Sequence, residues 1–371
     1  MKQDEIIIRE YREGDEVQIN QLHNEEYGIG RGSEAWRWEF MSGPYGKAIF
    51  MVAEHKSEII GTQALMPITL CYGGKQICSA KSEGTLLKAE YRGLGIFKRL
   101  YEVCFELADK RGIALIWGFT YAEGPFRNCG FEIPGKLNHL IISLKPFPAN
   151  MLSGTRMAAQ MKKRIGSQVA QEFLFHIFTL IGFIWGKIRQ PKINPRPRFK
   201  VIAIDKVDNR LDVFWEAFRQ NTNYYTIDRT SKYLDWRIIR NPNMTYQLLA
   251  IIENSKIQGY MVLGINKYGN VGSITDLCVL NEYFEEVAGG LISHAVDYFR
   301  AQGVSHIDAW CAGNNLQTKK YSACLRKVGF LRVHMGSCVV IKLLSEKGCH
   351  PADPYCLDQW FITEIFSEGA G

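Results

Sequence analysis

Cysteines at metal-binding spacing are missing from this chain. None of the ten forms a Cys-x-x-Cys, and no His-x-x-x-His accompanies them, so no metal site is expected. Cys71, Cys78, Cys104, Cys129, Cys278 and Cys356 read as buried free thiols, and Cys129 has no nearby histidine to activate it as a nucleophile. A signal-peptide layout is missing too, because Met1-Lys-Gln-Asp-Glu-Ile places acids where an apolar run is needed; cytoplasmic residence is the expectation. Between 151 and 200 acidic residues almost vanish, with ten Lys or Arg against Glu172 alone, which leaves the rest of the +7 chain slightly acidic. Cationic charge confined to one segment, with no reader motif, argues against nucleic-acid binding. Inside that segment Phe173–Trp185 is apolar on nearly every helical face, yet 13 residues are too few to span a bilayer. A helix wedged between two domains and an interfacial helix giving 162–192 weak contact with a membrane surface both stay open. A stiff proline-rich connector, Gln190–Arg198, follows. With 46% hydrophobic and 22% charged residues over 371 positions, disorder is excluded and two substantial cores can be buried.

What is present is sharpest at 81–100. Thr85–Leu87 reads as extended apolar chain, Arg92-Gly93-Leu94-Gly95 as a turn, and Ile96–Asp109 as a helix with Ile96, Leu100, Val103, Cys104 and Leu107 at helical spacing. A helix N-terminus behind glycines gathers unpaired N–H groups and the positive end of the helix dipole, which predicts a phosphate or pyrophosphate ligand. Gly93-Leu-Gly95-Ile-Phe-Lys98 lacks the third glycine of the dinucleotide fingerprint and the Gly-Lys-Ser/Thr of a P-loop, so hydride transfer and nucleotide hydrolysis are disfavoured.

Arg92, Gly95 and Phe97 fall on the Arg/Gln-x-x-Gly-x-Gly/Ala signature of the GNAT acyl-CoA N-acyltransferases, and the segment resembles that family, with Phe97 replacing the last Gly or Ala. Ile6–Asp15 is similar to the family's first strand and turn, Ala114–Phe119 reads as a buried strand, and Phe126-Arg-Asn-Cys-Gly130-Phe131 resembles its Tyr-x-x-x-Gly-Phe helix end. The second half repeats the first. Trp38, Pro44 and Gly61 recur as Trp236, Pro242 and Gly259, each 198 positions on, and Ala89-Glu-Tyr91 recurs as Asn281-Glu-Tyr283. The resemblance thus implies an α/β (α+β) protein of two tandem GNAT-like domains, each a mixed, mostly antiparallel twisted sheet flanked by helices. The expected division is 1–147, a basic linker over 148–198, and 199–371. In the second copy Glu285 and Glu286 stand near where a pyrophosphate would lie, so acyl-CoA binding is expected in the first domain only.

The resemblance implies transfer of an acyl group, usually acetyl from acetyl-CoA, to a primary amine of a small molecule by direct attack. By analogy alone the acceptor could be an amino sugar or surface-polysaccharide precursor. Backbone N–H groups from Gly93 through Leu94, Gly95 and Ile96 to Phe97 would hold the pyrophosphate, with charge from Arg92 and reach from Lys98; Leu86 and Leu87 would pair with the pantetheine arm. Glu83 stands where relatives place a general base. The usual tyrosine acid is here Phe126, which leaves Tyr121 or water to protonate the thiolate. His23, Glu26 and Tyr27 are the expected acceptor contacts, joined by Asp276 of the second domain. An inactive binding module and a transferase using another donor such as aminoacyl-tRNA are the alternatives, and the oligomeric state is left open.

Overall fold

The computed structural model describes residues 5–28, 30–145, 199–266, 270–280, 283–333, 336–344 and 351–367. The expected basic linker, its apolar helix and its membrane-surface contact lie outside these residues. The first half runs β1 (Ile6–Glu10), α1 (Asp15–Tyr27), α2 (Ser33–Met41), β2 (Ile49–His55), β3 (Glu58–Pro67), β4 (Leu70–Tyr72), β5 (Lys75–Ile77), β6 (Ser79–Leu87), α3 (Ile96–Lys110), β7 (Leu115–Thr120), α4 (Glu123–Asn128), β8 (Glu132–Lys136) and β9 (Asn138–Ser143). The second runs β10 (Lys200–Ile204), a helix Asn209–Arg219, β11 (Thr226–Ile227), a helical turn Ser231–Leu234, β12 (Thr245–Glu253), β13 (Lys256–Ile265), β14 (Val271–Val279), a helix Phe284–Ala301, β15 (His306–Cys311), a helix Leu316–Val328, β16 (Leu331–Val333) and β17 (Cys338–Leu343). No helix among the described residues is long and apolar enough to cross a membrane.

Two seven-stranded, mostly antiparallel sheets result, ordered β1-β2-β3-β6-β7-β17-β8 and β10-β12-β13-β14-β15-β9-β16. Their repeat goes down to single residues. The β2–β3 hairpin turns at Lys56-Ser57 and the β12–β13 hairpin at Asn254-Ser255, all four with positive φ, the mark of a two-residue turn matched to strand twist. A bulge follows in each at Ala53/Glu54 and Ile251/Ile252, again 198 positions apart. Trp38 and Trp236, the anchors of the repeat, stack at 5.1 Å between ring centroids. Each donates its indole N–H to the other's carbonyl at 3.1 Å, which marks the local two-fold relation between the halves.

The sheets do not divide where the chain does. β9, from the first half, lies between β15 and β16, while β17, from the second, lies between β7 and β8. Each half has given its partner one strand, so neither seven-stranded sheet is complete without the other. A small sheet, β11-β4-β5, ties the halves again. Among the described residues three apolar clusters form: one on the α3 side of the first sheet, one on the helix side of the second, and the largest between the halves, around Trp36, Trp117, Trp236 and Trp360. Of the thiols expected to be buried, Cys78 is exposed at a strand boundary and Cys356 is half-buried on the C-terminal segment; Cys71, Cys104, Cys129 and Cys278 are buried.

Candidate active site: a cleft between parted strands

β6 pairs with β7 in parallel only from Ser79 to Ser82, opposite Leu115 to Gly118. Beyond that point the strands part. A cleft of about 620 Å³ opens between them, lined by Glu83, Thr85, Leu86 and Leu87 on one side and Phe119, Thr120 and Tyr121 on the other. The parting begins at a bulge. Thr62 stands opposite Leu86 and Ala64 opposite Glu83, so Gly84 and Thr85 share the single partner Gln63. Gly84 takes φ +63°, and a Cβ there would lie 3.2 Å from the Phe40 ring. Gly84→Ala is expected to destabilise the protein by about 1–2 kcal/mol from the left-handed backbone alone, read as a lower urea midpoint. An unchanged midpoint would show that the bulge relaxes freely.

From Leu87 the chain makes a short turn over Ala89–Tyr91 and then enters α3 through Gly93 (φ +83°) and Gly95 (φ +73°). No described side chain caps this helix, and no acid lies in its first turn. A Cβ on either glycine would meet nothing within 4 Å, so the backbone faces open space. The first-turn N–H groups of Ile96 and Phe97 have no acceptor within the helix, and the dipole adds its positive end. An anion is what such a terminus lacks. Arg92 stands at the mouth, its Nη2 2.6 Å from Glu26 Oε1 and its Nε 3.2 Å from the Leu87 carbonyl. The Phe97 ring turns sideways onto Tyr101 (5.0 Å) and Phe126 (5.5 Å), away from the glycines. The Ile96 side chain is buried and Leu94 packs on the core beneath, so both offer backbone only. Lys98 leans along the helix toward Glu102 at 3.8 Å.

At the inner end Glu83 is 36% exposed and lies 2.6 Å from the buried Lys81 ammonium. Burial pushes the Glu83 carboxyl up, but the Lys81 charge and hydrogen bond, with the Gly84 N–H and Arg31, hold it below the usual value. It is therefore an ionised carboxylate with one face toward the cleft. Tyr121 lines the mouth, 83% exposed. Glu26 and Tyr27 also line it; His23 does not, and instead packs its ring on Tyr27 at 4.9 Å while burial and Arg31 hold its pKa low. Phe126, at the position for which the resemblance implies an acid, is buried. Sequence reasoning missed Lys81 and a hydroxyl cluster of Ser82, Thr85 and Tyr101 around Gln63 at the cleft's closed end. These residues come from β3, β6 and α3, and only Lys81, two positions before Glu83 on the same strand face, carried a local signal.

The second copy has the same parting, with the C-terminal segment against it and a smaller pocket of about 300 Å³ at Val279, Leu280 and Gln317. β14 and β15 pair in parallel from Val271 to Ser273, opposite His306 to Asp308, and then diverge. The C-terminal segment lies against both strands there: Ile362 bridges to Ala312, and Thr363 Oγ1 donates to Asp276 Oδ1 at 2.8 Å. Burial and the nearby Asp308 carboxylate push Glu364, in this segment, up to about 7. Asp276 is thus no acceptor ligand. It is fully buried, held by Arg229 Nε at 2.7 Å and Nη2 at 3.1 Å and by Tyr260 Oη at 2.9 Å. Glu285 points outward to Lys327 at 2.6 Å.

Residues 7–133 match the family model of the GNAT acetyltransferase domain. No curated protein matches the chain in sequence. Among solved structures it is similar to a GCN5-related N-acetyltransferase from Anabaena variabilis, with TM-score 0.59, 13% identity, and 92% of this chain and 73% of that one covered. A probable N-acyltransferase from Enterococcus faecalis superposes with TM-score 0.60 at 12% identity, over 91% and 72%. Saccharomyces cerevisiae N-myristoyltransferase, solved with myristoyl-CoA, does so with TM-score 0.58 at 9% identity, over 92% and 80%. At these identities the likeness is one of fold, and it extends through both halves.

Proposed function

From the premise that residues 7–133 form a GNAT acetyltransferase domain, we propose that this protein transfers an acyl group, acetyl in the first instance, from acyl-CoA to a primary amine of a small molecule. One observation carries the reading: the open cleft runs without a break from the uncapped glycine turn to an ionised carboxylate. The five residues from Glu83 to Leu87 give about 16 Å of strand at 3.3 Å per residue, room to lay an extended pantetheine arm along a strand edge that β7 no longer pairs. Pyrophosphate oxygens would take the N–H groups of the turn. The thioester would then sit near Glu83, where an incoming ammonium can lose its proton and attack the carbonyl carbon.

A short acyl group suits the closed end, because the strands are paired again at Ser82 and Gly118, where the parting stops. The C-terminal segment in the second parting supports a single donor site per chain, with the second domain completing the first sheet through β17. The carboxylates Glu26 at the mouth and Glu83 at the inner end favour a cationic acceptor.

Calorimetric titration with acetyl-CoA, butyryl-CoA and free coenzyme A tests this. One site per chain with micromolar affinity is the expected result. Arg92→Glu should weaken it about 10- to 100-fold, since a charge-assisted bond becomes a repulsion. The variant should fold normally, because the Arg92–Glu26 pair is 54% and 40% exposed and surface pairs contribute little. Failure of wild type to bind any of the three would overturn the reading.

A further inference from the structure

We infer that the Ser82 hydroxyl donates the hydrogen bond that stabilises the departing thiolate, replacing the tyrosine that this chain lacks, and that Tyr101 and Gln63 position it. The inference rests on the acyltransferase reading. The family's acid position is Phe126, which has no proton to give and packs among Phe97, Tyr101 and Phe131. Tyr121 is at the outer mouth and almost wholly exposed. At the inner end Ser82 is buried, 6% exposed, yet contributes to the cleft wall at the residue where β6 and β7 part.

Its hydroxyl belongs to a closed network. Gln63 Nε2 donates to the Ala64 carbonyl at 2.7 Å and to Ser82 Oγ at 3.2 Å, and Gln63 Oε1 accepts from Thr85 Oγ1 at 2.5 Å. Tyr101 Oη lies 2.6 Å from Ser82 Oγ. Counting protons decides what is left over. When Tyr101 donates to Ser82, the serine oxygen accepts two bonds, and its own proton has no acceptor in the network. The direction that remains to it is toward the cleft. Either hydroxyl can donate across this contact, so when no ligand is present the sense can reverse, with Ser82 donating to Tyr101.

In the reaction the amine lone pair forms the C–N bond, the C–S bond breaks, and its electron pair moves to sulfur. Glu83 takes the proton that the nitrogen loses. A serine hydroxyl is far less acidic than a thiol, so Ser82 keeps its proton and only shares it; the thiolate is protonated from solvent after it leaves.

The test uses the full chain, with acetyl-CoA as donor and hydroxylamine as a probe acceptor that is largely unprotonated at neutral pH, so that no base is needed to free its lone pair before attack. Ser82→Ala and Tyr101→Phe should each leave acetyl-CoA affinity unchanged by calorimetry. Ser82→Ala should lower kcat about tenfold or more, and Tyr101→Phe by less. Ser82→Thr, which keeps the hydroxyl, should restore most of the rate. A purely structural role would instead weaken donor binding or lower the melting temperature in step with kcat. Equal rates for Ser82→Ala and wild type, or a larger loss for Tyr121→Phe, would overturn the inference while leaving the transferase intact. Should Ser82→Ala fail to fold, Tyr101→Phe decides, since it removes one oxygen and keeps the ring packing. Wild type that binds no donor would end both readings, and calorimetry shows that before any variant is made.

Discussion

Replacing Glu83 by Gln should lower kcat for a primary amine about 10²- to 10⁴-fold, the usual range for losing a positioned general base, while leaving acetyl-CoA affinity as it was. The amide keeps the shape and the hydrogen bond from the Gly84 N–H, but it cannot take a proton. The loss should be much smaller with hydroxylamine, which arrives largely unprotonated; a structural role for Glu83 would depress both acceptors alike. The pH dependence has a fixed sign. Lys81 holds the folded-state pKa of Glu83 below the ordinary carboxylate value. Activity that needs the carboxylate is therefore complete at neutral pH and falls only as pH drops through that lowered value. The stabilisation from the Lys81–Glu83 pair is present above the unfolded carboxylate pKa and is lost over the same acid range. Lys81→Met should move the acid limb of the rate profile upward, because burial then acts without its opposing charge. An acid limb that stays in place in Lys81→Met would remove Glu83 from the role of base.

What the sequence made legible was local. The glycine turn, α3 and its buried stripe, and the carboxylate ahead of the cleft all lie within thirty residues, where spacing and turn chemistry decide the outcome. The repeat was legible because Trp38 and Trp236 meet each other at the two-fold contact and so share one environment. The strand exchange was not. β9 and β17 are short strands of ordinary pattern, and nothing in them says which of two similar sheets each will join. Asp276 misled for a related reason. A carboxylate in a mostly apolar strand reads as a ligand until Arg229, 47 residues away, is seen to neutralise it. The C-terminal segment across β14 and β15 is likewise a long-range contact, so the sequence pointed to a degenerate second copy through Glu285 and Glu286, while in the structure chain fills the parting itself.

Removing the Asp276 carboxylate should unfold both halves together. Asp276→Ala would leave the Arg229 guanidinium, fully buried, without its charge partner, and would strip Tyr260 and Thr363 of their acceptor. Breaking a buried pair from one side costs about 3–5 kcal/mol, a large part of the stability of an ordinary domain. The site lies in the second sheet, yet β17 is wedged between β7 and β8 of the first, and Phe366 of the C-terminal segment packs on Trp117 at 5.1 Å. Unfolding of the second half withdraws β17, the next-to-last strand, from the first sheet and leaves β8 without its partner. A single, lowered thermal transition is therefore expected, with acetyl-CoA binding lost along the same curve. Replacing both partners, Arg229→Met with Asp276→Leu, should recover most of the stability, because no uncompensated charge remains. Two separated transitions in Asp276→Ala, with donor binding surviving the first, would mean that the exchanged strands do not couple the halves.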